Sequence, residues 1–319
     1  MTTFILRRLL QWLPVLLVSS IVVFVIVRAL PGDVVDVIAG PDAGPETLAA
    51  IREAYGLDQP LPLQYLFWLW QLVQGQLGIS YIYNVDIAGL IASRIPNSLL
   101  LATTALCIAV LIGVPAGLIA GMRNGKWPDW IVSTGSAVAI ATPDFWFGMI
   151  AIMIFAVSLG WLPAGGADGS FSDIGMLVRS LILPAATLAL TGTAILARFT
   201  RSAAIETLDE NFIRTARAKG LLPGRIIVNH VLRNSLVPVV TMMGIIFGRM
   251  LGGAVVIESL FAWPGIGRLL VQSILNRDYG VVQAILVLLV VFFLVINLII
   301  DLLYAVLDPR IRTAMENGK

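Results

Sequence analysis

Residues 281–303 read VVQAILVLLVVFFLVINLIIDLL, a stretch in which Asp301 is the one charged side chain. At a rise of 1.5 Å per residue, about 20 apolar residues cross the roughly 30 Å hydrocarbon core of a bilayer. Five further stretches are similarly long and apolar, at 9–30, 97–121, 131–159, 181–197 and 237–257. The sequence therefore predicts an all-α membrane protein with about six transmembrane helices.

The composition of the whole chain agrees with a bilayer environment. Hydrophobic residues make up 58% of the 319 positions and charged residues 13%, whereas soluble domains carry about 25% charged residues. The formal net charge of +2 is too small to indicate a nucleic-acid partner. Lipid is the expected surrounding, and no nucleic acid is expected to bind.

The sequence offers no constellation for catalysis. Cys107 is the single cysteine and His230 the single histidine, which excludes an intrachain disulfide and a histidine-rich metal site. We interpret Cys107 as a packing residue and His230 as a polar loop residue. The phosphate-binding pattern G-x-x-x-x-G-K-[ST] is missing from the sequence, so we expect this chain to bind no cofactor and to be no enzyme.

The distribution of charge predicts the orientation in the membrane, because cytoplasmic loops are enriched in Lys and Arg. Residues 198–236 form the most charged stretch, and both ends of the chain are basic as well. The region 31–96 is instead rich in acidic side chains. These patterns place both termini in the cytoplasm and 31–96 outside. They divide the chain into a first span (1–30), an outer region (31–96), a core (97–307) with an inner loop (198–236), and a tail (308–319).

Two shorter segments are expected in the outer region. A helix is predicted near residues 45–55, and an aromatic stretch follows that can lie at the membrane interface. The aromatic residues are Tyr65, Phe67, Trp68 and Trp70.

A short helix is predicted in the inner loop, from about Glu210 to Lys219. Asp209 is the expected N-cap, Glu210 complements the positive end of the helix, and Gly220 suits a C-terminal cap. The helix would be autonomous and would project from the membrane spans.

The two faces of this short helix suggest its role. Phe212, Ile213 and Ala216 would form a small apolar face at helical spacing. Basic residues surround that face, namely Arg214, Arg217 and Lys219. Such a face predicts docking into a groove of a cytoplasmic partner, and an interfacial helix resting on lipid headgroups is the alternative.

Polar side chains inside the apolar stretches are candidates for a translocation path, because a charge at membrane depth is costly and faces a cavity or a partner. Asp144 follows Pro143, which is expected to kink the third span. The alternatives for Asp144 are a pairing with a neighbouring helix and a position at the membrane interface. Arg249 lies near the middle of the fifth span and is expected to face a pore or another subunit. Glu258 lies near the end of that span, where a simple interface contact by snorkelling is the alternative.

Glycines recur every four residues in two of the predicted spans. Close backbone approach drives helix contact in lipid, so we expect helix seams there, with a pore-lining role as the alternative. The glycines are Gly113, Gly117 and Gly121 in the second span and Gly244, Gly248 and Gly252 in the fifth.

The sequence resembles a known family over nearly its whole length. IRTARAKG at 213–220, followed by HVLRNSLVP at 230–238, is similar to the coupling loop of ABC importer permeases. Further segments resemble the first permease of dipeptide, oligopeptide and nickel systems: PGD (31–33), YGLDQP (55–60), LG (77–78), TPDFW (142–146), LPAGG (162–166), LPA (183–185), ESLFAWPGIG (258–267) and LDPR (307–310). The loop departs from the family's Glu-Ala-Ala pattern, since Arg214 and Thr215 stand at the first two positions and only Ala216 and Gly220 match.

The resemblance implies a permease in a bacterial inner membrane with several partners. These are a second, similar permease, two cytoplasmic ATPases that hold ATP and Mg²⁺, and a periplasmic solute-binding protein. It also implies that the ATPases dock on the helix of the inner loop, with coupling residues Phe212, Arg214, Thr215, Ala216, Arg217, Lys219 and Gly220.

The implied solutes are di- or oligopeptides. Nickel chelates, glutathione, opines and oligosaccharides are alternatives for the same architecture. A stand-alone, gradient-driven carrier is the alternative from another class, but we find no inverted repeat of the kind that such carriers show.

Overall fold

The computed structural model describes residues 2–29, 35, 39, 43–54, 57–80, 82–166 and 173–307. Its helices are α1 (Thr2–Ala29), α2 (Pro45–Ala54), α3 (Leu61–Val73), α4 (Ile87–Met122), α5 (Trp127–Ala141), α6 (Asp144–Ala151), α7 (Ile174–Asp209), α8 (Asn211–Ala218), α9 (Pro223–Ile226), α10 (Arg233–Leu260), α11 (Ile266–Leu275) and α12 (Tyr279–Leu307). Two π-helical segments, Ile152–Ser158 and Ile227–Leu232, continue α6 and α9. The chain forms two compact units, one from 1–96 with 265–295 and the other from 97–264 with 296–319.

Five helices among the described residues are long and apolar enough to cross a membrane. They cover Arg8–Ala29, Ile87–Met122, Ile174–Asp209, Val239–Leu260 and Tyr279–Ile300. A sixth span is present if α5 and α6 with its π-helical continuation, which are bent by 99° at their junction, count as one. The prediction of an all-α membrane protein with about six spans is therefore confirmed.

The bend falls in the predicted third span, where a proline was expected to kink the helix. Pro143 lacks an N–H group and cannot continue the ladder of α5. Thr142 ends α5 in an extended conformation, and its hydroxyl donates to the carbonyl of Val138 at 2.8 Å. The third span is therefore two helices with a break, and Asp144 is the first residue of the second one.

The first unit contains the predicted outer helix and the aromatic stretch. The helix α2 agrees with the segment expected near residues 45–55. The aromatic stretch forms α3, which packs on α1: the hydroxyls of Ser20 and Tyr65 lie 2.9 Å apart, and the ring of Phe24 contacts those of Tyr65 and Trp68. A short antiparallel hairpin follows, in which Ile79 pairs with Asp86 and Ser80 with Val85.

The core of the second unit surrounds α7, whose buried residues run from Ser180 to Thr207. The glycine run of the second span meets this helix. A Cβ added at Gly117 would collide with the carbonyl oxygen of Ala197 and lie 2.8 Å from Cβ of Thr200. Gly113 and Gly121 approach α7 in the same way, so the predicted seam is confirmed for α4.

The glycine run of the fifth span behaves differently along its length. Gly244 packs closely on Ile300, since an added Cβ would lie 2.9 Å from its Cδ1. Gly248 makes ordinary contact with Ile296, and an added Cβ at Gly252 would meet no atom of the described residues within 4 Å. The prediction of a seam is therefore confirmed at Gly244, whereas at Gly252 no contact with another described helix supports it.

Candidate coupling helix and solute cleft

The helix α8 directly follows the end of α7, and that end extends beyond the apolar part of α7. With 36 residues, α7 is about 54 Å long, whereas the hydrocarbon core is about 30 Å thick. Residues 198–209 follow its apolar stretch and add about 18 Å. The chain turns at Glu210, which is extended (φ −67°, ψ 146°), and α8 begins at Asn211. These dimensions place α8 beyond the hydrocarbon.

The start of α8 differs from the sequence prediction. Asp209 was expected to be the N-cap, but it is the last helical residue of α7, and an N-cap residue needs a non-helical backbone. Glu210 takes that position, and its side chain makes no capping hydrogen bond with a described residue. The Asp209 prediction is therefore wrong.

The end of α8 agrees with the prediction of a glycine cap. Gly220 has φ +74°, a left-handed conformation that glycine adopts without steric cost. Its N–H donates to the carbonyl of Arg217 at 2.9 Å, and the N–H of Leu221 donates to that of Ala216 at 3.2 Å. This pair of bonds is the Schellman arrangement that closes a helix.

The predicted apolar face of α8 is only partly buried. Ile213 is fully buried and Ala216 is 5% exposed, whereas Phe212 is 42% exposed. At 100° per residue, 216 lies between 212 and 213 around the helix, about 40° from the first and 60° from the second. The three positions share an arc of about 100°, and Phe212 stands at its exposed edge. The prediction that all three side chains face a partner is therefore wrong, because two of them face the chain itself.

The buried side of α8 anchors it to the rest of the second unit. Ile213 and Ala216 form a cluster with Ala204 of α7, with Ile226 of α9 and with Val231 of the second π-helical segment. Leucines from α4, from α7 and from the residue after the glycine cap pack around it: Leu118, Leu208 and Leu221. The anchor thus joins α8 to both chain segments that flank it.

The remaining surface of α8 is exposed and basic, and it includes one aromatic ring. We call it the outer face and define it by five predicted coupling residues that are all exposed: Phe212, Arg214, Thr215, Arg217 and Lys219. The ring of Phe212 lies 6.3 Å from that of His230. His230 was expected in a loop, but it belongs to the π-helical segment that precedes α10.

A second contact, which the sequence analysis missed, braces α7 where it leaves its apolar part. The guanidinium of Arg201 forms a bidentate ion pair with Asp129, through Nε to Oδ1 and through Nη2 to Oδ2 at 2.9 Å. Asp129 also accepts from the N–H of Gly125 at 2.9 Å and from the hydroxyl of Ser133 at 3.2 Å. The turn between α4 and α5 is thereby fixed to α7.

Asp144 and Arg249, predicted on separate spans, line one cleft in the structure. The cleft has a volume of about 160 Å³ and lies between the start of α6, the middle of α7 and α10. Asp144 accepts a hydrogen bond from the hydroxyl of Thr191 at 2.6 Å. Arg249 is exposed, and among the described residues it forms no salt bridge with a carboxylate.

The third predicted path residue, Glu258, does not line this cleft. It is 1% exposed and accepts a hydrogen bond from the hydroxyl of Ser98 at 2.6 Å. Beside it, the indole of Trp263 donates to the carbonyl of Asn97 at 3.0 Å, and the Asn97 amide donates to the carbonyl of Pro264 at 3.1 Å. Snorkelling of Glu258 to the interface is therefore wrong: the residue is buried at a junction with α4.

Two family models match most of the chain. Residues 113–313 match the binding-protein-dependent transport system inner membrane component, and residues 1–102 match the N-terminal part of such membrane components. The chain belongs to this family of ABC transporter permeases and is the permease subunit of an importer.

Individual relatives and structures agree with the family. The chain is 43% identical over 312 residues to the glutathione transport system permease protein GsiC of Escherichia coli (strain K12), covering 98% of this chain and 99% of that protein. It is 42% identical over 312 residues to GsiC of Salmonella choleraesuis (strain SC-B67), with the same coverage.

Two solved structures share the fold. The MetNI methionine ABC transporter in inward-facing conformations gives a TM-score of 0.57 at 18% identity, over 69% of this chain and 97% of that one. An amino acid ABC transporter with histidines gives 0.54 at 19% identity, over 68% and 94%. At these identities the likeness concerns the fold alone.

Proposed function

We propose that this chain is the first permease subunit of an importer for small peptides, with glutathione as one solute of that class. A periplasmic binding protein delivers the solute, a second permease completes the pore, and two cytoplasmic ATPases supply the motion. ATP and Mg²⁺ are held by those ATPases. The glutathione transport for which the GsiC relatives are named and the peptide-type segments of the sequence support this solute class.

The outer face of α8 is the observation that carries the proposal. It combines an exposed aromatic ring with three cations, a composition typical of the residues that dominate protein interfaces. Its reverse side is fixed to the bundle by Ile213 and Ala216. A partner that binds the outer face therefore transmits its motion to the membrane helices to which α8 is anchored.

This assignment also orients the chain. The ATPases are cytoplasmic, so α8 and the basic stretch 198–236 lie on the cytoplasmic side, together with both termini. The region 31–96 then faces the binding protein. Lys and Arg enrichment on the α8 side supports this orientation.

A charge reversal on the outer face tests the docking. In Arg217→Glu we expect loss of ATPase association and of ATP-driven uptake, because the last turn of α8 loses a cation at the contact. Arg198→Glu is the matched control, since it reverses the charge of an exposed arginine that lies on α7 and outside the outer face. This control variant should leave ATPase association intact.

Association and uptake that survive Arg217→Glu would contradict the docking role. The energy source is tested on the same preparation, in proteoliposomes that contain both permeases, both ATPases and the binding protein. Uptake should require hydrolysable ATP on the side of the membrane that holds the ATPases. It should persist when ionophores remove the ion gradients. Uptake that ionophores abolish and ATP does not affect would instead indicate a gradient-driven carrier.

A further inference from the structure

The cleft between α6, α7 and α10 presents groups of opposite charge to one small volume. Its polar lining includes the carboxylate of Asp144, the hydroxyl of Thr191 and the guanidinium of Arg249. Resting on the proposed function, we propose that this cleft is a subsite for a zwitterionic solute. Arg249 binds a carboxylate of the solute, and Asp144 binds its ammonium group.

The carboxylate of Asp144 is oriented for this role. Its Oδ1 accepts the hydrogen bond from Thr191 at 2.6 Å, which holds the side chain between α6 and α7. A carboxylate has acceptor sites for further donors after one such bond. An ammonium group with three donors fits those sites, and a neutral, acylated amine loses both the charge and two of the donors.

Arg249 supplies the complementary charge. It lies near the middle of the span Val239–Leu260, a depth at which charged side chains face a cavity or a partner and are commonly functional. Among the described residues it forms no salt bridge with Asp144 or another carboxylate. Its planar guanidinium matches the two oxygens of a solute carboxylate.

The rest of the cleft suits a passing peptide rather than a tightly held one. Apolar side chains complete its lining, namely Leu188, Ile195, Ile246 and Met250, and they offer contact area without selecting a particular side chain. Conduction requires binding that is favourable enough to admit the solute and weak enough to release it. Recognition of the two charged groups shared by peptides meets that requirement.

Two neighbouring glycines allow a direct test. Gly253 lines the cleft, and an added Cβ there would lie 3.7 Å from Cδ1 of Leu188, an ordinary contact. Gly252 is also exposed and does not line the cleft, and an added Cβ there would meet no described atom within 4 Å. In a Cys107→Ser background, Gly253→Cys therefore reports occupation of the cleft and Gly252→Cys is its matched control.

The measurement is the rate of maleimide labelling of each variant in the assembled permease–ATPase complex in nanodiscs, without binding protein. The probes are alanyl-alanine and S-methylglutathione, which has no thiol to consume the reagent. At about ten times its dissociation constant, a bound probe should slow labelling at position 253 about elevenfold. Labelling at position 252 should not change, and N-acetyl-alanyl-alanine amide, which lacks both charges, should protect neither position.

Two substitutions assign the charges. In Asp144→Asn, N-acetyl-alanyl-alanine and alanyl-alanine should protect position 253 equally and weakly. In Arg249→Gln, alanyl-alanine amide and alanyl-alanine should likewise protect it equally and weakly. The subsite is overturned if the doubly blocked peptide protects position 253, or if positions 252 and 253 are protected equally. It is also overturned if alanyl-alanine still protects position 253 fully in both Asp144→Asn and Arg249→Gln. If the complete importer takes up neither probe with ATP, the proposed function fails as well, whereas uptake without protection at 253 rejects the subsite alone.

Discussion

The anchor of α8 can be weakened without touching the face that a partner would contact. Ile213→Ala removes three carbons from a side chain that is fully buried. Lost transfer free energy and the cavity together cost about 3 kcal/mol. Within α8, all of which the structure describes, the buried side chains are Ile213 and Ala216, so we expect this cost to fall on the attachment of α8 and not on the bundle.

Hydrogen exchange measures that local cost. A loss of about 3 kcal/mol raises the detached population, and with it the exchange rate of the α8 amides, about a hundredfold. Amides in the buried part of α7 should exchange as before. Uptake should also fall, because a partner bound to a detached α8 would no longer move the membrane helices.

Phe212→Ala is the matched control, since its side chain is adjacent in sequence and lies on the outer face. It should raise exchange in α8 far less than Ile213→Ala does, because its ring is 42% exposed and lies beside that of His230, and it should weaken ATPase association instead. The reasoning is refuted if Ile213→Ala leaves α8 exchange unchanged, or if Phe212→Ala accelerates it equally.

Two further predictions concern the packing around α7. Gly117→Ala should destabilise the protein by about 1–3 kcal/mol, because its methyl group has no space against α7. Gly252→Ala is the control and should be neutral or slightly stabilising. Thermal unfolding in detergent compares the two variants, and equal effects would contradict the seam. Asp129→Asn and Arg201→Met should each destabilise the protein. A double-mutant cycle should give a coupling free energy of about 1–2 kcal/mol for this partly exposed bidentate pair. A coupling near zero would contradict a stabilising role of the ion pair.

Features that depend on neighbouring residues in the sequence could be predicted. The spans follow from runs of apolar residues, and the break at Pro143 follows from its missing N–H group. The end of α8 was predicted because Gly220 carries the information itself, as a residue that adopts positive φ freely. The seam at Gly117 was predicted because the spacing of small residues is local.

Features that depend on distant residues could not be predicted in the same way. The sequence shows that Phe212, Ile213 and Ala216 are apolar, but which of them are buried depends on where α7 and the second π-helical segment lie. The pair of Asp129 and Arg201 is separated by 72 positions. The local signal for this ion pair is Asp129 itself, an acidic residue that follows Gly125 in a loop that is otherwise basic.

The contacts of α7 indicate where the membrane helices can move when α8 is displaced. Against α4, the backbone of α7 itself is in contact, since an added Cβ at Gly117 would strike a carbonyl oxygen. Against α10, α7 is met at Gly192 by Cε of Met250, the end of a flexible side chain, and by Cγ2 of Ile246. Backbone seams resist sliding, whereas Met repacks readily. Since α8 is joined to α7 before it and leads to α10 after it, its displacement should act mainly between those two helices. The cleft of Asp144 and Arg249 lies at that junction, so its width is the dimension that we expect the motion to change.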